Sequence, residues 1–293
     1  MSVRKVPESL KSPRKNKMVN LEIEVSGYKH GNSVIRRGTE LAAATLTRQS
    51  FSNGSREHLQ EAVTLWEAGN PTWIWSKHES DADVPLVGVA FRNGGFPEFS
   101  EEMVVLMGNK VLDKRVRGVF ARSYPHVPVP QEGCSNRNKL LSVANKAIPQ
   151  LLEKGKPIFV FPEGTRSRDG VLGDASPTVA HYLNKGDVVF PMVIEGARDA
   201  LPVEELPRFF KEITFHFGKP ILVADLMAEI QYYEITSGEK INKVARNKII
   251  VDLIMRRGIA PLAPENQRGK FCDVNMSIPD ILHQGIQREA AIA

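Results

Sequence analysis

The feature that most limits how this chain can fold is a repeated pairing of a segment of helical period with a short run that is apolar on both faces. Arg137 to Lys154 carries Leu140, Leu141, Val143, Ala144, Ala147, Ile148, Leu151 and Leu152 at helical spacing. Gly155 stands where a C-terminal cap belongs, and Ile158-Phe-Val-Phe161 follows at once as a strand. The pattern recurs downstream, where Val179 to Leu183 predicts a helix stopped at Gly186, Val188 to Ile194 and Ile213 to Phe217 predict strands, and Lys240 to Met255 predicts a helix. Upstream, Ser55 caps a helix over Arg56 to Ala68 that Gly69 ends, and Pro71 to Ser76 is a short strand of aromatic and β-branched residues. Val84 to Phe91 suits the first turns of a helix with Pro85 near its start, where a missing N–H costs little. Strands this short and apolar throughout must be covered on both sides. The pattern therefore predicts an α/β fold, a mixed, largely parallel sheet flanked by helices.

A length of 293 residues suits one large domain or two small ones. The first 55 residues are polar, basic and weakly patterned, so we expect a partly helical N-terminal extension over 1–55, with a helix around Gly38 to Arg48. An α/β domain over 56–293 would follow, ending in a helix and a tail. The first 17 residues carry Arg4, Lys5, Lys11, Arg14, Lys15 and Lys17 against Glu8 but no apolar core of a secretory signal. That start reads as a solvated basic tail, with an organelle address or a contact to anionic lipid as the alternatives. Every apolar run falls far short of the roughly 18 to 20 residues that span a bilayer. We expect a cytoplasmic protein, soluble or peripheral to a membrane. Cys134 and Cys272 stand far apart, with no CxxC pair or neighbouring His cluster, which argues against a disulfide framework and a zinc site. The net charge of +5 is modest, and the chain has neither a nucleic-acid-binding motif nor a Walker-type loop, so no nucleic-acid partner is expected.

Two polar clusters follow strands, where ligand sites of such sheets lie. The first pairs His78 with Asp83 at His-x4-Asp spacing. Its bland reading is a surface histidine and an acid that caps the helix beginning at Val84. Its chemical reading is an imidazole that takes a proton from an alcohol while the carboxylate orients the ring and stabilises the imidazolium. The second cluster is Phe161-Pro-Glu-Gly-Thr-Arg-Ser-Arg168. Gly164 lets backbone approach a ligand closely, Thr165 and Ser167 offer hydroxyls, and Arg166 and Arg168 offer planar forks suited to phosphate. Between the clusters, Lys110, Lys114, Arg115, Arg117 and Arg122 are opposed only by Asp113, a basic stretch that an anionic acceptor would want.

With these blocks in this order, the sequence resembles the phospholipid and glycerol acyltransferases. In that family a His-x4-Asp block carries the catalytic pair, here His78 and Asp83, and a Phe-Pro-Glu-Gly-Thr-Arg-Ser block, here Phe161 to Ser167, contributes to acceptor binding. Two weaker blocks agree. Gly118-Val-Phe-Ala-Arg122 is similar to a family segment ending in arginine, and Phe190 to Ile194 with Gly196 is similar to a proline-containing strand, while Phe217-Gly-Lys-Pro-Ile221 looks like the sequence that follows the last strand. The resemblance covers roughly Thr72 to Val223. The chain departs from it at Lys77, where the family commonly has Asn, and in the shortness of the segment ending at Arg122. Lys77 would add a phosphate contact or be exposed.

The resemblance implies an O-acyltransferase of phospholipid biosynthesis that moves a fatty acyl group from acyl-CoA or acyl carrier protein to glycerol-3-phosphate or 1-acylglycerol-3-phosphate. No cofactor or metal is implied. His78 would be the general base and Asp83 its partner. Arg166 first and Arg122 second would hold phosphate, because arginine is favoured for bidentate contact, with Glu163, Gly164, Thr165 and Ser167 completing the acceptor site. His78 to Asp83 is similar to the soluble plastid-type glycerol-3-phosphate enzymes and Phe161 to Arg168 to the lysophosphatidate type, so both acceptors stay open. The other readings are an acyltransferase for another lysophospholipid or an amino-acid lipid, and a non-catalytic basic module that binds a lipid surface. An anionic membrane surface is an expected partner.

Overall fold

The structure is a computed structural model that describes residues 27–115, 117–131, 133–202 and 208–284. The basic residues from Arg4 to Lys17 lie outside the described residues. Among the described residues eight strands form one sheet: β1 (Thr47–Phe51), β2 (Thr72–Ser76), β3 (Val104–Gly108), β4 (His126–Val129), β5 (Ile158–Val160), β6 (Val188–Glu195), β7 (Lys211–Phe217) and β8 (Ile221–Leu222). Their order is β1-β7-β6-β2-β5-β3-β4, with β8 on β6; the β6–β7 and β6–β8 pairs are antiparallel and the other five pairs parallel. The sheet is therefore mixed and largely parallel, and helices flank it.

The helices are α1 (Ser33–Leu46), α2 (Ser55–Glu67), α3 (Asp83–Asn93), α4 (Pro97–Glu102), α5 (Asn109–Leu112), α6 (Arg117–Ala121), α7 (Arg137–Glu153), α8 (Ala197–Ala200), α9 (Val223–Ser237) and α10 (Lys243–Ile254). Alternation along the central strands sorts their side chains into two cores. Trp73, Trp75, Val104, Leu106, Ile158, Val160, Val189 and Val193 pack with α7, α9 and α10 on one face. Ile74, Val105, Met107, Phe159, Phe190, Met192 and Ile194 pack with α2, α3 and α4 on the other. Period-2 alternation with apolar residues on both sides is what a doubly covered sheet demands, and at roughly 1.5–3 kcal/mol per fully buried large apolar side chain these two layers dominate the favourable side of folding.

The helical segments around Ser55, Val84 and Arg137 and the strands at Pro71, Ile158, Val188 and Ile213 form close to the boundaries read from sequence. Gly69 and Gly155 take positive φ at the ends of α2 and α7, as helix-stopping residues do. Val179–Tyr182 is a 3-10 turn rather than a helix. Of the features not anticipated, two extend the sheet and the core. Residues 47–51 leave α1 and add β1 to the sheet edge, although the strand is polar and half exposed. After α10 the chain returns across the apolar face, burying Phe271, Ile278 and Ile281 in the first core.

Candidate active site

The site follows from register. β2 and β5 are parallel neighbours with Trp75 opposite Val160, so the segments leaving their C-terminal ends, Lys77 to Asp83 and Phe161 to Gly170, emerge side by side. They are then tied together. The His78 N–H donates to Glu163 Oε1 at 3.1 Å, the Ser167 N–H donates to the His78 carbonyl at 2.7 Å, and the His78 ring lies flat on Phe161 with centroids 3.8 Å apart and planes 12° apart.

His78 Nδ1 and Asp83 Oδ2 are 2.8 Å apart. Asp83 is the first residue of α3 and its side chain is 1% exposed. Its Oδ2 also accepts the Glu79 N–H at 2.8 Å and the Ser80 N–H at 2.9 Å, and the partial positive charge of the α3 N-terminus adds to this support for an anion. An acceptor at Oδ2 assigns the hydrogen to Nδ1 and leaves the lone pair on Nε2. The His78 side chain is 20% exposed, and among the described residues Nε2 has no hydrogen-bond partner. The geometry thus orients the imidazole through Nδ1 and leaves Nε2 free to meet a ligand.

Beneath this pair the loop is braced by buried charge. Lys77 is buried, forms an ion pair with Glu79, and donates to the Gly170 carbonyl and to Gln267 Oε1. It neither faces solvent nor is free for phosphate, contrary to both sequence expectations. Burial raises the Glu79 carboxyl, with Lys77 acting against it.

The second loop divides into inward and outward residues. Glu163 accepts the His78 N–H on one oxygen and the Gly173 N–H at 2.7 Å on the other; burial raises its carboxyl, and these two N–H groups oppose the rise. Ser167 Oγ lies within the loop 3.0 Å from Asp169 Oδ1 and 2.8 Å from the Val171 carbonyl, and its single hydrogen is shared between these two acceptors. Both side chains, read from sequence as acceptor contacts, are engaged in holding the loop. Gly164 and Thr165 are exposed, and Gly164 takes φ +67 with open space where a Cβ would point. Arg166 Nη1 meets Asp81 Oδ1 at 2.6 Å, and Arg117 Nε meets Asp81 Oδ2 at 3.2 Å.

Arg117, from the first turn of α6, is the arginine that shares an acid with Arg166. Arg122 turns back and donates to the Leu112 carbonyl; among the described residues it makes no hydrogen bond or ion pair with His78, Asp83 or the Phe161 to Ser167 block. The sequence carried Arg117 as one charge in a basic stretch, and nothing in its spacing tied it to Asp81. Among the described residues no group of His, Cys, Asp or Glu has the arrangement to hold a metal ion, and no helix is long and apolar enough to cross a membrane.

Comparison with known proteins finds a match to the family model described as Acyltransferase over residues 54–195, a span that contains both loops. Among solved structures, the crystal structure of the 1-acyl-sn-glycerophosphate (LPA) acyltransferase PlsC from Thermotoga maritima is similar at 16% identity, covering 71% of this chain and 80% of that chain with a TM-score of 0.41. Comparison with curated proteins finds no match.

Proposed function

We propose, from the match of residues 54–195 to the acyltransferase family model, that the protein transfers a fatty acyl group from a thioester, acyl-CoA or acyl carrier protein, to a hydroxyl of glycerol-3-phosphate or 1-acylglycerol-3-phosphate. The observation that carries the reading is the 2.8 Å contact between His78 Nδ1 and a buried Asp83, which leaves Nε2 without a hydrogen-bond partner among the described residues, next to the loop that exposes Gly164 and Thr165 and carries Arg166. His78 Nε2 takes the hydroxyl proton as the oxygen attacks the thioester carbonyl carbon. The new C–O bond forms, the C–S bond breaks, and the imidazolium returns its proton to the departing sulfur, so that ester and thiol leave. The Asp83 carboxylate offsets the imidazolium charge. Positioned base catalysis of this kind contributes about 10²–10⁴-fold.

Arg166, with the Gly164–Thr165 backbone, holds the acceptor phosphate. An anionic lipid surface is the proposed setting, supported by exposed Val119 and Phe120 on α6 within the basic stretch from Lys110 to Arg122. The test is acyl transfer by purified protein to each acceptor from each donor. We expect kcat to fall about 10²–10⁴-fold in His78→Ala and in Asp83→Asn, with melting temperature little changed in the former. A His78→Ala protein that transfers at the wild-type rate overturns the reading.

A further inference from the structure

Asp81 lies in sequence between His78 and Asp83 but is bonded to neither; its carboxylate gives one oxygen to Arg166 and the other to Arg117. We propose that Asp81 is an internal stand-in for the acceptor's phosphate: Arg117 and Arg166 form a two-guanidinium clamp for a phosphate monoester, and Asp81 leaves that clamp when the acceptor binds. This rests on the reading above that the acceptor is phosphorylated.

Three observations lead to it. The first is geometry. A carboxylate that presents one oxygen to each of two guanidiniums offers them the pattern that two oxygens of a phosphate offer, and each guanidinium keeps further N–H donors for bidentate contact. The second is charge. Two arginines and Asp81 sum to one positive charge, whereas a phosphate monoester carries about −1.5 to −2 at neutral pH. With Asp81 in the clamp the occupied site would hold about −0.5 to −1, with like charges crowded together; with Asp81 turned away it comes to about 0 to +0.5. Displacement is the arrangement that balances. The third is exposure. The side chains of Asp81, Arg166 and Arg117 are 22%, 26% and 37% exposed, so Asp81 can rotate into water without leaving a buried charge unpaired. Asp83 contrasts with it at 1% exposed, fixed by two backbone N–H groups and His78 and unable to exchange partners in this way.

Calorimetric titration of the full chain with sn-glycerol-3-phosphate, and separately with inorganic phosphate, tests the clamp without requiring turnover. Asp81→Asn keeps the size of the side chain and removes the competing charge; we expect it to bind glycerol-3-phosphate about 3- to 10-fold more tightly than wild type. Arg117→Ala should bind at least about 10-fold more weakly, and Arg117→Lys, which keeps charge but loses the fork, should fall between Arg117→Ala and wild type. Tighter binding by Asp81→Asn is a gain that misfolding does not produce. Asp81→Asn binding equal to or weaker than wild type overturns the proposal, as does Arg117→Ala binding equal to wild type or a wild type that binds neither probe. If the wild type transfers no acyl group yet Asp81→Asn tightens phosphate binding, the proposed activity fails and the clamp stands. If His78→Ala silences transfer while Asp81→Asn does not tighten binding, the activity stands and the clamp fails.

Discussion

The two loops that meet at this site are built on opposite plans. The loop after β2 is largely buried: Lys77, Glu79, Ser80 and Asp83 are all shielded, Asp81 is half-buried, and His78 is oriented by its Nδ1 contact to Asp83. The loop after β5 anchors only Glu163 and Ser167 inward and exposes Gly164, Thr165 and Arg168, with Arg166 half-buried. A group that must hold one tautomer and one orientation gains from burial, because low dielectric and fixed N–H donors leave it no alternative. A group that must exchange water, Asp81 or ligand needs the reverse. The difference separates the residues whose loss should unfold the site from those whose loss should only weaken binding.

The sharpest way to break that contrast is to remove the brace of the buried loop. Lys77→Met leaves the Glu79 carboxylate buried without its cation and the Gly170 carbonyl and Gln267 without their donor, and breaking a buried pair on one side costs about 3–5 kcal/mol. We expect chemical denaturation to show a loss in that range, and Lys77→Met/Glu79→Met to be less destabilised than Lys77→Met alone, since no uncompensated charge remains. A single variant as stable as wild type would put the buried loop on the same footing as the exposed one.

Lys77 also shows where sequence reading stops. Its charge suggested solvent or phosphate, and its burial comes from Gln267, which reaches it from the far end of the chain. Arg117 is the same kind of case, linked to Asp81 only by the folded path of α5 and α6. Elements with strong local signals were legible. β2, β5 and β6 are buried along almost their whole length and lead into glycine or polar clusters, and the register of β2 and β5 brings the two clusters together. β3 is a short apolar run, a length at which periodicity does not separate strand from helix. β4 carries Pro128 and tolerates it because it lies at the sheet edge, and polar β1 owes its strand form to pairing with β7. The His78–Asp83 pair was legible because its partners are close in sequence. The clamp was not, because its partners are distant.

Glu163 tests the inward anchor of the otherwise exposed loop. Gln at this position keeps one acceptor but turns an NH2 group toward one of the two backbone N–H donors, so Glu163→Gln should cost about 1–3 kcal/mol. The effect should depend on pH. Burial raises the Glu163 carboxyl in the folded protein, so the native state holds its proton more tightly than the unfolded chain does. Its contribution is therefore fully present below the ordinary glutamate range and is lost as pH rises through the raised native value. Denaturation of wild type and Glu163→Gln across mildly acidic pH should show their stability difference growing as pH falls; a difference that shrinks toward acid would mean that the two N–H donors outweigh burial.

The smallest effect belongs to the outward half of the loop, and it separates two uses of one glycine. Gly164 has φ +67, a conformation that costs a residue with a Cβ about 1–2 kcal/mol, yet open space lies where that Cβ would point. Gly196 is the counter-example, since its Cβ would lie 2.2 Å from the Glu212 carbonyl oxygen. Gly164→Ala therefore carries strain without collision, and stability should fall by about 1 kcal/mol. If Gly164 served only the turn, glycerol-3-phosphate affinity would follow stability and barely move. If the glycine is there so that backbone can approach the phosphate, the added methyl group occupies the ligand's space and raises the KM for the acceptor several-fold at unchanged kcat. We expect the second outcome, because no protein atom lies within 4 Å of where the methyl group would go, and Gly164 stands two residues before Arg166 on the same loop.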